Sequence, residues 1–215
     1  MELIYTIPGL GTTKDLFKNI SIPNYQLKVL HWPEPQAGWS LKDYAQKFLD
    51  QIDATVPVNL MGVSFGGMLC SEIAELIPTK KIILISSCKN RSELPPGIKI
   101  LKTLPLQRFV NDRLYRAFAE KLSWAVGFEK NYLPEFLQMM RSMPRNYFKY
   151  CIDMIIRWNK TSNNTAIHHI HGNADTLLPH TFVKNYEVIE KGNHAMILYK
   201  AAEINVLLNT YFNGL

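Results

Sequence analysis

Cysteine is scarce. Cys70, Cys88 and Cys151 are three in a chain of 215 residues, an odd number with no paired spacing. A disulfide framework and a paired-cysteine metal site are therefore excluded, and the thiols read as small buried apolar groups. Long apolar runs are also missing. Nothing approaches the ~20 residues of a membrane-spanning helix, so no membrane partner is expected. No basic stretch precedes the first apolar run. Met1-Glu2 leads straight into Leu3-Ile4-Tyr5-Thr6-Ile7, which leaves no room for a secretory signal, and a cytoplasmic location is expected. No recognised nucleic-acid module is visible, which sets nucleic acid aside as a partner. What is present, 47% hydrophobic and 20% charged residues, suits one globular domain large enough to bury a substantial core.

The pattern along the chain alternates between strand and helix. Leu3–Ile7 and Gln26–His31 read as strands, with a short helix over Thr13–Asn19. Leu41, Tyr44, Ala45, Phe48, Leu49 and Ile52 recur at helical spacing behind Ser40, which predicts a helix over 41–52 with Ser40 as its N-cap. Val58–Val63 and Lys81–Ser86 are the short apolar runs of buried parallel strands. Two more strands fall near Ile167–His171 and Tyr186–Glu190, and a last helix near Met196–Phe212. Such alternation predicts a parallel sheet with helices on both faces.

Chemistry gathers at three loops. Gly62-Val63-Ser64-Phe65-Gly66 stands between the strand at Val58 and a helical run that begins at Gly67. Strand, Gly-x-Ser-x-Gly, helix is the context of a nucleophile elbow, in which a serine sits on a sharp strained turn at a helix N-terminus. Downstream, Asp175 lies on the loop His171-Gly172-Asn173-Ala174-Asp175 just past a strand. His194 lies on Gly192-Asn193-His194, ahead of the last helix. A carboxylate orienting an imidazole that activates a serine is the logic of nucleophilic acyl transfer. Ser86-Ser87-Cys88, at the end of the strand over Lys81–Ser86, carries no carboxylate. His168, His169 and His171 alternate across one strand, with His169 and His171 on one side, so strand geometry accounts for them better than a metal site.

These motifs resemble those of the α/β-hydrolases, in the order nucleophile, acid, histidine. The likeness covers most of the chain, including Pro8-Gly9-Leu10-Gly11 after the first strand. It implies an α/β-hydrolase fold with a six-stranded, mostly parallel sheet, lacking the two antiparallel strands with which the family usually begins. It implies Ser64, Asp175 and His194 as catalytic residues and backbone N–H groups of Leu10 and Phe65 as the oxyanion hole. Relatives often have His-Gly where this chain has Pro8-Gly9. No cofactor and no metal are implied.

Alternation stops between Arg91 and about Asn164, where the pattern is helical and rich in Phe, Tyr, Trp and Met. In the resembled family a helical cap is inserted here. The expected division is therefore a core of residues 1–91 and 163–215 and a cap of residues 92–162. Residues 93–160 hold twelve Lys or Arg against six acids, so the insertion carries the whole net charge of +6. A solvated basic surface explains this, as does attraction to an anionic substrate or a carrier-bound acyl group. Among its aromatic and Met residues (Phe109, Tyr115, Phe118, Trp124, Phe128, Tyr132, Phe136, Met139, Met140, Tyr147, Phe148 and Trp158), most are expected in a core and a few facing the nucleophile.

Three functions fit. The first is a serine hydrolase of carboxylic esters or thioesters, similar in layout to the capped esterases that act on pimeloyl-carrier-protein methyl ester. The second is a carbon–carbon hydrolase or lyase of the same fold, with a substrate carboxylate held by Arg108, Arg113, Arg116, Arg141, Arg145 or Arg157. The third is a non-catalytic ligand binder.

Overall fold

The computed structural model describes residues 1–102, 111–121, 127 and 132–214, with the side chains of 118 and 119 excepted. Six strands form one sheet: β1 (Glu2–Ile7), β2 (Tyr25–Val29), β3 (Val58–Val63), β4 (Thr79–Ile85), β5 (His168–Gly172) and β6 (Glu187–Ile189). Their order is β2-β1-β3-β4-β5-β6, and every pairing is parallel. Parallel strands need a crossover between them, which is why helical segments separate them in sequence. The central strand β3 is buried at all six positions, as its unbroken apolar run predicts.

The strand order reverses between β1 and β3. In open parallel sheets ligands bind beyond the carboxyl ends of the strands at such a switch point. The Pro8–Gly11 loop leaves the end of β1 there, and the Gly-x-Ser-x-Gly turn leaves the end of β3.

Helix α1 (Leu41–Phe48) begins as the sequence predicts. Ser40 Oγ accepts from Asp43 N–H, and the Asp43 carboxylate accepts from Ser40 N–H, a reciprocal cap. Its stripe of Leu41, Tyr44, Ala45 and Phe48 is buried. It packs on α2 (Phe65–Ile73), which lies against β1, β3 and β4. The other face of the sheet is covered at the C-terminal end of the chain. There Tyr211 stacks on His168 at 4.3 Å and Phe212 packs on Tyr25 at 4.8 Å.

The single last helix expected over 196–212 is instead two, α7 (Met196–Tyr199) and α8 (Ala201–Asn213). Lys200, at φ −109° and ψ 22°, leaves the helical range between them. The burial pattern supplies the reason. Met196, Ile197 and Leu198 are consecutive and all buried, whereas α8 buries only the stripe Ile204, Leu208 and Phe212. One straight helix cannot present both patterns to the core. In the same way the helix expected over 13–19 is a single 3-10 turn, Lys14–Phe17, which buries Leu16 and Phe17.

Between β4 and β5 the described chain is helical: α3 (Pro96–Ile100), α4 (Asp112–Lys121), α5 (Leu133–Arg141) and α6 (Tyr147–Arg157). Helix α6 is fastened to the core at both ends. Tyr147 is fully buried and its ring meets Trp32 edge-on at 5.2 Å. Trp158, just past the helix, donates from Nε1 to Glu72 Oε1 on α2 at 2.6 Å. Phe136, Met139, Met140 and Phe148 are buried as well, so these members of the aromatic and Met set are core. Phe109, Trp124, Phe128 and the side chain of Phe118 lie outside the described residues. The three cysteines are free and buried, and burial raises all three thiol pKa values above the ordinary range.

Candidate active site

The ends of β1, β3, β4, β5 and β6 build the site. From β3 the chain turns at Ser64, which takes φ +53° and ψ −120°. That region costs a non-glycine residue on the order of 1–3 kcal/mol and persists only where the surroundings enforce it. Close backbone approach does so. A Cβ on Gly62 would stand 2.4 Å from Gly66 O, and one on Gly66 would stand 2.2 Å from Ile7 O. Strand β4 holds the turn from the other side. Ser64 N–H donates to Ile85 O at 3.0 Å, and Ser87 Oγ donates to Ser64 O at 2.6 Å.

The loops after β5 and β6 meet by the same device. A Cβ on Gly172 would stand 2.1 Å from Gly192 O, and Ala174 N–H donates to that carbonyl at 2.9 Å. Asp175 and His194 are thereby brought together. His194 Nδ1 lies 2.7 Å from Asp175 Oδ2, and His194 Nε2 lies 2.9 Å from Ser64 Oγ. A carboxylate only accepts, so Nδ1 carries the proton and Nε2 is free to accept from the serine. The three residues named from sequence are thus one continuous hydrogen-bonded set.

Asp175 is buried. Its other oxygen, Oδ1, accepts from Leu177 N–H at 2.9 Å and Leu178 N–H at 2.8 Å. Burial alone would raise its pKa. His194, through its charge whenever the ring is protonated and through its Nδ1–H hydrogen bond, together with the Leu178 N–H and the nearby His171, outweighs that and holds it below the usual carboxylate range. The acid is ionised at neutral pH.

Leu10 and Phe65 line the same cavity as Ser64. A Cβ on Gly9 would lie 3.6 Å from Ser64 Cβ, which places the loop after β1 against Ser64. Thr12 pins that loop, with its N–H and hydroxyl both donating to Gly9 O at 3.0 and 2.8 Å. Pro8, where the resembled family often has histidine, leads from β1 into this loop.

A cavity of about 250 Å³ opens over Ser64. Leu10, Phe65 and Met68 line it from the sheet side, Ile98 and Leu101 from α3 and the turn after it, and Ile152, Ile155 and Ile156 from α6. Leu177 and Leu178 complete the wall. Among the described residues, none of the aromatic or Met side chains expected to face the nucleophile lines this cavity. The wall from the insertion is aliphatic. A sequence signal for it exists. Helix α6 has two apolar stripes, one of Tyr147, Phe148, Cys151 and Met154 buried in the core, and a second of Ile152 and Ile155 on its other side.

The arginines point elsewhere. Arg157 donates to Asp153 Oδ2 at 2.7 Å and to Trp39 O at 2.6 Å. The Arg116 guanidinium lies 5.8 Å over the Phe148 ring. Arg113, Arg141 and Arg145 are exposed, and Arg108 lies outside the described residues. Among those described, no charged side chain lines the cavity.

The histidines of β5 divide as the strand period demands. His169 and His171 share a buried side and His168 lies on the other. Burial above all, with the neighbouring Lys89 ammonium adding to it, holds His169 far below the ordinary imidazole pKa. Burial also lowers His171, with partial opposition from Asp175 and the Leu178 carbonyl. Both bind protons less readily in the fold than in the unfolded chain, which gains them below about pH 6.5. The unfolded state then binds more protons, so stability falls as pH drops through that value. The slope is up to about 1.4 kcal/mol per pH unit for each histidine. Urea midpoints measured from pH 8 to pH 5 should decline below pH 6.5, and a flat profile would contradict the buried neutral pair.

Sheet order, elbow turn and the two loops at the ends of β5 and β6 are those of the α/β-hydrolase fold. Solved structures agree. A thermophilic esterase from Thermogutta terrifontis superposes with a TM-score of 0.72 at 12% identity, over 100% of this chain and 90% of that one. A bromoperoxidase from Bacillus anthracis gives 0.70 at 17% identity, over 99% and 92%. The esterase EaEST from Exiguobacterium antarcticum gives 0.71 at 12%, over 98% and 91%. No protein-family model matches the chain and no curated protein matches its sequence. Likeness at this identity carries the fold. Among the described residues no helix is long and apolar enough to cross a membrane.

Proposed function

We propose that this protein is a serine hydrolase that cleaves carboxylic esters or thioesters with an uncharged aliphatic acyl group. One observation carries the reading. Ser64, His194 and Asp175 form a hydrogen-bonded set at 2.9 and 2.7 Å, directly beneath an aliphatic cavity.

The geometry supports the following steps. His194 Nε2 takes the Ser64 proton as Oγ attacks the substrate carbonyl carbon, and the ionised Asp175 stabilises the imidazolium that forms. The oxyanion develops beside the N–H groups of Phe65, at the N-terminus of α2, and of Leu10. Each such donor is worth roughly 10²–10³ in turnover. His194 then protonates the leaving alcohol or thiol. In the second half it deprotonates a water, which attacks the acyl-enzyme and releases the acid. Residues 92–162 serve as the cap that closes the acyl site, with α3 and α6 supplying its walls. Two of the similar structures are esterases, which supports this reading over the other chemistry of the fold. The version in which arginines hold a substrate carboxylate finds no charged group in the described wall.

A fluorophosphonate probe should label Ser64, identified by peptide mass spectrometry. With p-nitrophenyl esters, kcat/KM should rise about fourfold per added methylene while the cavity fills, since each buried methylene contributes about 0.8 kcal/mol. It should fall once the chain exceeds the cavity. Ile155→Trp should move the optimum to shorter chains, and a profile indifferent to chain length would remove the acyl-site assignment.

A further inference from the structure

Behind Asp175, three side chains that the catalytic steps do not use, Lys89, His169 and His171, stand in file. Lys89 Nζ lies 3.4 Å from His169 Nδ1, and His169 Nε2 lies 3.3 Å from His171 Nδ1. His171 Nε2 lies 2.8 Å from Leu178 O and 3.4 Å from Asp175 Oδ2. Lys89 is held by Glu93 at 3.2 Å and by the carbonyl of Lys184.

The two ends fix every proton between them. An ammonium only donates, so His169 Nδ1 must accept and its proton sits on Nε2. A carbonyl only accepts, so His171 must carry its proton on Nε2 and accept at Nδ1. Both statements are satisfied at once by a single direction of donation, Lys89 to His169 to His171 to Leu178 O. A second proton on either ring would aim a donor at a donor. The remaining charged or titratable neighbours are consistent with two neutral rings. Glu93 is engaged by Lys89 N–H at 2.7 Å and Lys184 N–H at 3.2 Å. Tyr186 packs its ring edge against both imidazoles, at 6.5 and 5.8 Å. His168 points to the opposite side of the sheet, and His194 lies across Asp175.

We propose that His171 is a positioning residue of the active site, set by this one-way chain so that it fixes the turn carrying Asp175. The inference rests on the serine-hydrolase reading for its kinetic part. The Nε2–H of His171 holds Leu178 O. The N–H groups of Leu177 and Leu178 hold Asp175 Oδ1, which leaves Oδ2 aimed at His194. The same two leucines form part of the acyl cavity, so the chain ties one wall of the substrate site to the acid.

Two measurements test this. In protein labelled with ¹⁵N at histidine, the ring shifts of His169 and His171 should both report the neutral Nε2–H tautomer from pH 8 to pH 6.5. An Nδ1–H tautomer or a charged ring in either would overturn the chain, whether or not the protein has esterase activity. His171→Phe keeps the ring volume and deletes both nitrogens, and His171→Gln returns an N–H near the Nε2 position. The Phe variant should lose about tenfold or more in kcat, with KM for a short ester changed by less than about threefold. The Gln variant should recover most of the loss. A folded His171→Phe with wild-type kcat, or a Gln variant no better than Phe, would defeat the positioning role. Should the Phe variant fail to fold, the tautomers and the Gln variant still decide the matter. Lack of ester turnover and of Ser64 labelling in the wild type would remove the hydrolase reading and leave the tautomer result standing.

Discussion

Replacing Ser64 with alanine is expected to lower kcat for a p-nitrophenyl ester by about 10⁶, the scale on which loss of a serine nucleophile collapses the whole set. Oxyanion donors and the acyl cavity would survive, so binding should persist and KM should change little. A pair of substitutions separates chemistry from architecture. Ser64→Ala keeps a side chain at φ +53° and keeps the strain. Ser64→Gly removes both, because glycine takes positive φ freely. Relief of about 1–3 kcal/mol of strain is opposed by roughly 0.4–1 kcal/mol from the freer unfolded chain. Ser64→Gly should therefore be more stable than Ser64→Ala by about 1 kcal/mol, a shift of about 2–4 °C in Tm for a domain of this size. Both variants should be equally inactive. Turnover retained in either would end the serine-nucleophile reading.

Asp175→Asn should cost about 10⁴ in kcat, and the hydrogen bonds give the reason. Leu177 and Leu178 both present N–H groups to Oδ1, so an asparagine must place its carbonyl there. Its NH₂ then faces His194 Nδ1, which has to accept. The proton of His194 moves to Nε2, against the serine, and the base is lost without any displacement of the backbone. Stopped-flow measurement of the acylation burst would show the defect in the first chemical step. A loss below tenfold would mean that Asp175 does not orient His194.

Why were these residues legible and others not? Ser64 and His194 are 130 positions apart, yet each carries a local mark. The turn at Ser64 needs glycine at 62 and 66 because the backbones of β3, α2 and the end of β1 nearly touch. The loops of Asp175 and His194 need Gly172 and Gly192 because those two residues touch each other. Close approach writes itself into sequence as glycine. Packing partners leave no such mark. Tyr147 and Trp158 belong to the aromatic and Met set of which most are expected in a core and a few over the nucleophile, with nothing local to say which; the structure uses both to fasten α6 to Trp32 and Glu72. The wall falls instead to isoleucines on a second stripe of the same helix. The break at Lys200 is equally silent, since neither proline nor glycine announces it. The pairing of Lys89 with His169 spans 80 positions and depends on the register of β4 and β5.

The uncharged wall over Ser64 also gives the proposed reaction a direction at its last step. Hydrolysis turns a neutral acyl group into a carboxylate in place. An unpaired carboxylate in apolar surroundings is costly, and no described cation lines the cavity to offset it. The ionised Asp175 nearby adds repulsion. The acid is therefore ejected toward water as it forms, and product inhibition by fatty carboxylates should be weak even where the parent esters bind well. The same wall admits the ester and refuses its own product.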